Sequence, residues 1–295
     1  MQRSQIKAVI LLAGLLVGGI LFFKPGHQLI ESYFDCKEQK RNDNWAMLRS
    51  NFIETQLVFS QLQVAMKNAW MDSAHKDDRE LLSKRLNTLS MHINQFMCDL
   101  HDAITTTGGW CGKHFESGHV TDENLAASLS QMLEGQTVGS FGDGPGAYKK
   151  LLTKGGLVRS YDAYDGSPYI ENATDSQVKY LELTIPQYGL PLYDWVMSLE
   201  VAEHIPSQYE DIFVSNLVRH AKKGIILSWA LQTGGTGHVN TRAAEYVEHK
   251  MKNLCFDKDA NKSETLRESA TLWWLKNNLM ILNRRENCKA NPDDA

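Results

Sequence analysis

From Asp122 onward, short apolar runs alternate with amphipathic helical runs, and this alternation restricts the folds open to the chain more than any other feature. Leu125, Leu129, Met132 and Leu133 share one helical face between Thr121, available as an N-cap, and Gly135, a C-terminal stop. Strand runs follow at Thr137 to Phe141, Leu157 to Tyr161, Val178 to Leu183, Asp194 to Leu199 and Ile225 to Ser228. Between the last two, Ser207 and Glu210 have capping-box spacing. They open a helix that carries Phe213, Val214, Leu217 and Val218 and stops at Gly224. Parallel strands need a helical crossover, so strands separated by such helices predict a doubly wound α/β sheet with its binding crevice at the strands' carboxyl ends.

Upstream, the stretch from Leu29 to Ile104 lacks glycine and proline, and its apolar residues recur every three, four or seven positions. This predicts amphipathic helix, interrupted by the polar stretch Asp72 to Arg79. The region is either a stem through which two copies of the chain pair as a homodimer or a cap lying on the following domain. Nearer the N-terminus, Ala8 to Phe23 carries no charge. Counted from Ile6, the apolar stretch reaches about 27 Å as a helix at ~1.5 Å per residue, enough to span a thin bilayer once. The alternative is a cleaved signal and secretion. The acceptor sequons Asn172-Ala173-Thr174 and Asn261-Lys262-Ser263 fit a glycoprotein facing the lumen of the endoplasmic reticulum or Golgi. Five cysteines without a C-x-x-C pair argue against structural zinc and leave room for one or two disulfides beside an odd thiol. The predicted organisation is a signal anchor at 1–24, a helical stem at 25–108, an α/β domain at 109–286 and a disordered tail at 287–295.

The chemistry centres on Val138-Gly139-Ser140-Phe141-Gly142-Asp143-Gly144-Pro145-Gly146, followed by a helical stretch from Ala147 to Leu152. Glycines at alternate positions after the first strand let the backbone approach a ligand more closely than any β-carbon permits. The same residues also suit a plain tight turn. Asp162 closes the predicted second strand, where a nucleotide-binding sheet places an acid on ribose hydroxyls, and Asp165 to Pro168 then turn the chain beside the adenine. G-x-G-x-G with Pro145 in the first helical turn departs from the G-x-G-x-x-G of pyrophosphate sites, so a dinucleotide is disfavoured. A net charge of −4 supplies no general field for nucleic acid, and none is expected as a partner. Asp293-Asp294 lacks the D-x-D spacing of glycosyltransferases.

Gly142, Gly144, Pro145 and Gly146 resemble the first motif, V-L-D-L-G-x-G-P-G, of class I S-adenosylmethionine-dependent methyltransferases. Asp194-Trp195-Val196-Met197-Ser198-Leu199-Glu200-Val201-Ala202-Glu203-His204-Ile205-Pro206 resembles the fourth strand of that family and the segment after it, and Trp273 to Leu282 resembles its closing antiparallel hairpin. The resemblance extends to an animal group of membrane-anchored methyltransferase-like proteins. It implies a Rossmann-like, mostly parallel seven-stranded sheet. It also implies S-adenosyl-L-methionine held by Gly142, Asp143, Gly144, Gly146, Asp162, Ser198, Leu199 and Glu200, and methyl transfer to an unidentified acceptor, with a hydroxyl favoured. Ser140 stands where the family carries an acid that orients the cofactor's methionine part, which motivates the alternative of an inactive scaffold keeping the fold.

Glu200, Glu203 and His204 fall at i, i+3 and i+4, one face of a helical turn. The E-x-x-E-H spacing resembles the metal-binding segment of small-RNA 3′-end and some quinone-biosynthesis methyltransferases, in which a further histidine follows the fifth strand. His238 takes that place here. Two expectations follow. Either Glu200, Glu203, His204 and His238 hold Mg, Mn or Zn, or the site is metal-free with His204, His238 and Glu203 as candidate catalytic acid-base groups.

Overall fold

The computed structural model of the protein describes residues 76–100, 104–112, 119–231 and 234–288. The apolar N-terminal run, most of the expected stem and the expected tail beyond Cys288 lie outside them, and Cys288 itself is tied down by a disulfide. Among the described residues, no helix is long and apolar enough to cross a membrane. The compact unit Glu80–Ala295 contains the architecture that follows.

The elements are α1 (Lys76–Leu100), α2 (Glu123–Met132), β1 (Thr137–Phe141), α3 (Ala147–Lys154), β2 (Ser160–Asp165), α4 (Ile170–Ala173), β3 (Val178–Tyr180) and β4 (Tyr193–Leu199). They continue with α5 (Glu210–His220), β5 (Ala221–Ser228), α6 (Ala244–Asn253), β6 (Phe256–Lys258), α7 (Ala260–Ser269), α8 (Trp273–Asn278) and β7 (Met280–Arg284). One seven-stranded sheet runs in the order β3-β2-β1-β4-β5-β7-β6. β1 to β5 pair in parallel, and β7 is antiparallel to both β5 and β6.

β4 sits centrally and is buried over almost its whole length, as expected of a parallel strand covered on both faces. One face packs Leu125 and Leu129 of α2, Leu152 of α3 and Leu266 of α7 over Val138, Tyr161, Ala163, Met197 and Ile226. The other packs Phe213, Val214 and Leu217 of α5 and Val247 and Met251 of α6 over Phe141, Tyr193, Val196 and Ile225. Gly224 lies inside β5 because a β-carbon there would sit 2.3 Å from the Trp195 ring and 2.7 Å from the Leu282 carbonyl oxygen.

Several boundaries differ from the sequence expectation, each for a physical reason. The cap of α2 is Asp122 and not Thr121. Its carboxylate accepts from the Leu125 amide at 3.0 Å and also from the Leu272 amide at 2.8 Å, which ties α2 to the start of α8. The Ser207–Glu210 capping box does not form. Ser207–Tyr209 is a 3₁₀ turn, and Glu210 instead receives Arg242 and Tyr246 side chains from beyond β5. α5 ends at His220 and β5 begins at once, so Gly224 stops no helix. β2 starts three residues later than expected, because Leu157 is exposed and Arg159 turns back onto the Gly135 carbonyl. Trp273–Asn278 is helix, and only the residues after it form the antiparallel strand β7.

Residues 80–100 of α1 lie on the α/β body, the cap arrangement. Ser83 donates to the Pro186 carbonyl, Asn87 bridges the Tyr180 carbonyl and the Glu182 amide, and Asn94 donates to Thr107, Tyr180 and Glu182. A Cys98–Cys111 disulfide joins the end of this helix to the segment 104–112, and a second links Cys255 to Cys288.

Candidate active site

A cavity of about 1100 Å³ opens at the carboxyl ends of β1, β2 and β4. Its base is the turn leaving β1. Gly142 and Gly144 have φ of +90° and +58°, and neither could carry a side chain. A β-carbon on Gly142 would fall 2.2 Å from Val201, and one on Gly144 would fall 2.4 Å from the His119 ring, which roofs the turn. Gly146, at φ +82°, caps α3 under Val178 and does not line the cavity.

Asp143 is buried within this turn. Its Oδ1 accepts from Ser140 and from the Tyr161 hydroxyl, each at 2.6 Å, while Oδ2 has no partner. Burial pushes its carboxyl up to about 6. Ser140, at the position where the resemblance implies an acid, thus holds an acid three residues later.

Asp162 is placed differently from expectation. Because β2 begins at Ser160, Asp162 is a mid-strand residue facing the α5 side, exposed and accepting from the Tyr193 hydroxyl at 3.0 Å, and it does not line the cavity. Side chains alternate along a strand, so the residue in phase with Tyr161 and Ala163 at the strand end is Asp165. Asp165 lines the cavity, with Oδ2 taking the Gly144 amide at 2.9 Å and Oδ1 the Ser167 amide at 2.8 Å. Burial raises its carboxyl above the usual range, and those two amides oppose the rise. Ser198 is also off the cavity: it is buried and fastens β4 to β1 through the Phe141 carbonyl at 2.8 Å.

Beyond β4, Leu199 and Glu200 border the cavity. Glu200 has φ +55°, an uncommon conformation for a residue with a side chain, and holds it through its amide to Ser228 and its carboxylate to Asn278 at 2.9 Å. Glu203 is fully buried in the next 3₁₀ turn, its carboxyl beside that of Glu200. Burial, and then the neighbouring Glu200, raise its carboxyl to about 8. Burial lowers His204 and keeps it neutral. Its Nδ1 faces the Gly237 carbonyl at 3.1 Å, so that nitrogen carries the proton and Nε2 is left as the basic atom. His238 Nε2 stands 4.0 Å from Glu203 Oε1, and its ring meets that of His204 edge-on.

Donor atoms of Glu203, His204 and His238 all lie within 4.8 Å of one another, so three of the four residues expected to ligate a metal are brought together. The fourth, Glu200, is committed to Asn278.

Sequence reasoning put Asp165 in a turn beside the adenine and gave its place at the strand end to Asp162, and it missed His119, Asn278 and the segment carrying Trp110. Asp165 was findable from the alternation Tyr161, Ala163, Asp165. Asn278 and Trp110 reach the site through long-range packing that leaves no local pattern.

The sheet order, with β7 as its antiparallel member, is that of the Rossmann-like methyltransferase fold. No family model and no curated protein matches the chain. Among solved structures, the chain is similar to magnesium protoporphyrin IX methyltransferase from Synechocystis PCC 6803 with bound SAH, at 17% identity and a TM-score of 0.42, covering 58% of this chain and 91% of that one. It is similar to the N-methyltransferase NodS from Bradyrhizobium japonicum WM9 at 12% identity and a TM-score of 0.41, covering 56% and 86%. An amino pentose methyltransferase from Micromonospora echinaspora gives 11% identity and a TM-score of 0.41, covering 55% and 91%.

Proposed function

We propose that the protein is an S-adenosylmethionine-dependent methyltransferase. One observation carries the reading: a glycine turn at the end of β1 and a carboxylate at the end of β2 face a single cavity, with a buried, half-satisfied Asp143 beneath it. In this reading the Gly142–Gly144 backbone receives the cofactor, Asp165 accepts from the ribose hydroxyls, and Asp143 Oδ2 accepts from the amino-acid ammonium. Leu181 and Leu183 flank the adenine, and Leu199 and Glu200 border the methyl group. Methyl transfer needs little beyond holding donor and acceptor in line, and His204 Nε2, His238 and Glu203 are placed to take the acceptor's proton. Calorimetric titration of the full chain with S-adenosylmethionine and with S-adenosylhomocysteine tests the reading. Binding of both is expected, and no heat with either would leave the scaffold alternative.

A second reading is favoured by the Glu203, His204 and His238 cluster. These residues have the donor chemistry for a divalent ion, which would polarise an acceptor oxygen. His238 Nε2 and Glu203 Oε1 stand 4.0 Å apart, at the upper end of the roughly 3 to 4 Å between ligand atoms sharing one ion at about 2.1 Å. Glu200, the fourth residue expected to ligate, is held by Asn278, and on that ground the metal-free form is preferred; it predicts turnover unchanged after exhaustive EDTA treatment.

We place the catalytic body on the lumenal side of the secretory pathway, anchored by the run from Ala8 to Phe23. Two disulfides and two exposed sequon asparagines, Asn172 and Asn261, support an oxidising compartment.

A further inference from the structure

S-adenosylmethionine ends in an amino acid, which brings a carboxylate as well as an ammonium, and the cavity is poorly furnished for the first of these. Five carboxyl side chains line it, from Asp143, Asp165, Glu182, Glu200 and Glu203, and among the described residues no lysine or arginine does. A carboxylate drawn from water into that lining must be given hydrogen-bond donors.

Backbone amides often serve an anion at a glycine turn, but in this turn they are already committed. Gly142 and Asp143 both donate to the Tyr164 carbonyl, at 2.8 and 2.9 Å, Gly144 donates to the Asp165 carboxylate at 2.9 Å, and Gly146 donates to the Asp143 carbonyl at 3.3 Å. Pro145 has no N–H to give. The Ser140 hydroxyl is likewise turned to Asp143. The turn therefore receives the cofactor by its shape, and the donor for the carboxylate must come from a side chain.

Three histidines line the cavity. His204 and His238 stand with Glu203 beyond β4, on the acceptor's side. His119 stands over the turn itself: a β-carbon on Gly144 would meet its Cε1 at 2.4 Å, its Nδ1 at 2.8 Å and its Nε2 at 3.1 Å, so the edge of the ring that bears both nitrogens faces the glycine backbone. The Tyr148 hydroxyl, which accepts from the Asp122 amide at 3.3 Å, is the rival donor on that side, and it brings no positive charge. We propose that His119 binds the carboxylate of the cofactor, donating a ring N–H to it above the Gly142–Gly144 turn. The inference rests on the methyltransferase reading and adds to it a residue outside every motif of the sequence. The amino-acid end is then gripped from two sides, its ammonium by Asp143 and its carboxylate by His119, which selects a ligand carrying both groups.

The test is calorimetry on the full chain with two probes, S-adenosylhomocysteine and its decarboxylated analogue, which differ in that one group. The intact compound is expected to bind about 10- to 100-fold more tightly. His119 is exposed, so replacing it leaves the core untouched. His119→Ala is expected to bring the two probes to within about threefold by weakening S-adenosylhomocysteine alone, and His119→Gln, which keeps an N–H donor, to restore part of the preference. Tyr148→Phe is expected to leave the preference in place. Equal or tighter binding of the analogue to the unaltered chain, a preference that survives His119→Ala, a preference lost in Tyr148→Phe, or equal weakening of both probes in both His119 variants overturns the inference and leaves the methyltransferase reading standing. Failure of the unaltered chain to bind either probe removes that reading and this inference with it.

Discussion

Asp165 and Asp162 lie three residues apart in one strand, and the whole cofactor assignment turns on which of them faces the cavity. Asp165→Asn removes the charged acceptor proposed for the ribose and should weaken S-adenosylhomocysteine binding by about 10- to 100-fold, roughly 1.4 to 2.8 kcal/mol. Asp162→Asn, on the opposite face, should change it less than twofold. Calorimetry on the two variants decides, and the reverse order would overturn the assignment. Asp143 yields a pH dependence. Its carboxyl titrates near 6 in the folded chain, against an ordinary value of 3.8. The native state therefore holds the proton more tightly, and stability present below about pH 4 is lost as pH rises toward 6, by roughly 2 to 3 kcal/mol. Urea unfolding of the unliganded protein across that window should show the fall, and Asp143→Asn should flatten it. The glycines and the acid at position 143 were legible in the sequence because a turn constrains its own residues. Asp165 was legible in the alternation but was passed over for Asp162, because the apolar pair Leu157-Val158 imitates a strand start although the chain there is still turning.

α1 was legible as helix from its apolar periodicity, but its docking was not, since polar side chains hold it in place. Asn94 donates to Thr107, Tyr180 and Glu182, each at 3.2 Å, and Glu182 is a buried cavity-lining carboxylate raised above its usual range by burial. Asn94→Ala takes one donor from that carboxylate and one from each neighbour without removing apolar contact. It should destabilise the protein by about 1 to 3 kcal/mol and weaken cofactor binding in parallel, measured by denaturant midpoint and calorimetry together. An unchanged midpoint would mean that the helix is held by its apolar face alone. The strands were read correctly where the sheet is deepest. β4 is mostly apolar; the edge strand β3 was read from its true start at Val178 but ends at Tyr180, three residues short of the expectation, and the three-residue β6 at the other edge has too little sequence to carry a pattern.

At the scale of the molecule, the sheet order follows from rules of connection, and the covalent ties do not. Five cysteines allow many pairings, and only the fold brings Cys98 to Cys111 and Cys255 to Cys288. Closing loops of 13 and 33 residues restricts the unfolded chain enough to contribute about 3 to 4 kcal/mol each. Reduction under native conditions should accordingly lower Tm by roughly 6 to 12 °C per bridge, readable by calorimetry with and without reductant. A Tm indifferent to reductant would show that the bridges do not form in solution.

The close approach at Gly108, where a β-carbon would fall 2.2 Å from the His204 carbonyl oxygen, bears on how the protein can be handled. Trimming the polypeptide to the extent its motifs suggest, with a new first residue at Gly109, would discard Thr107 and Asn94. Glu182 would lose two of its donors, and one wall of the cavity would be water. A preparation of that kind could be soluble and yet inert for reasons unrelated to its chemistry, so the N-terminal cut belongs ahead of α1.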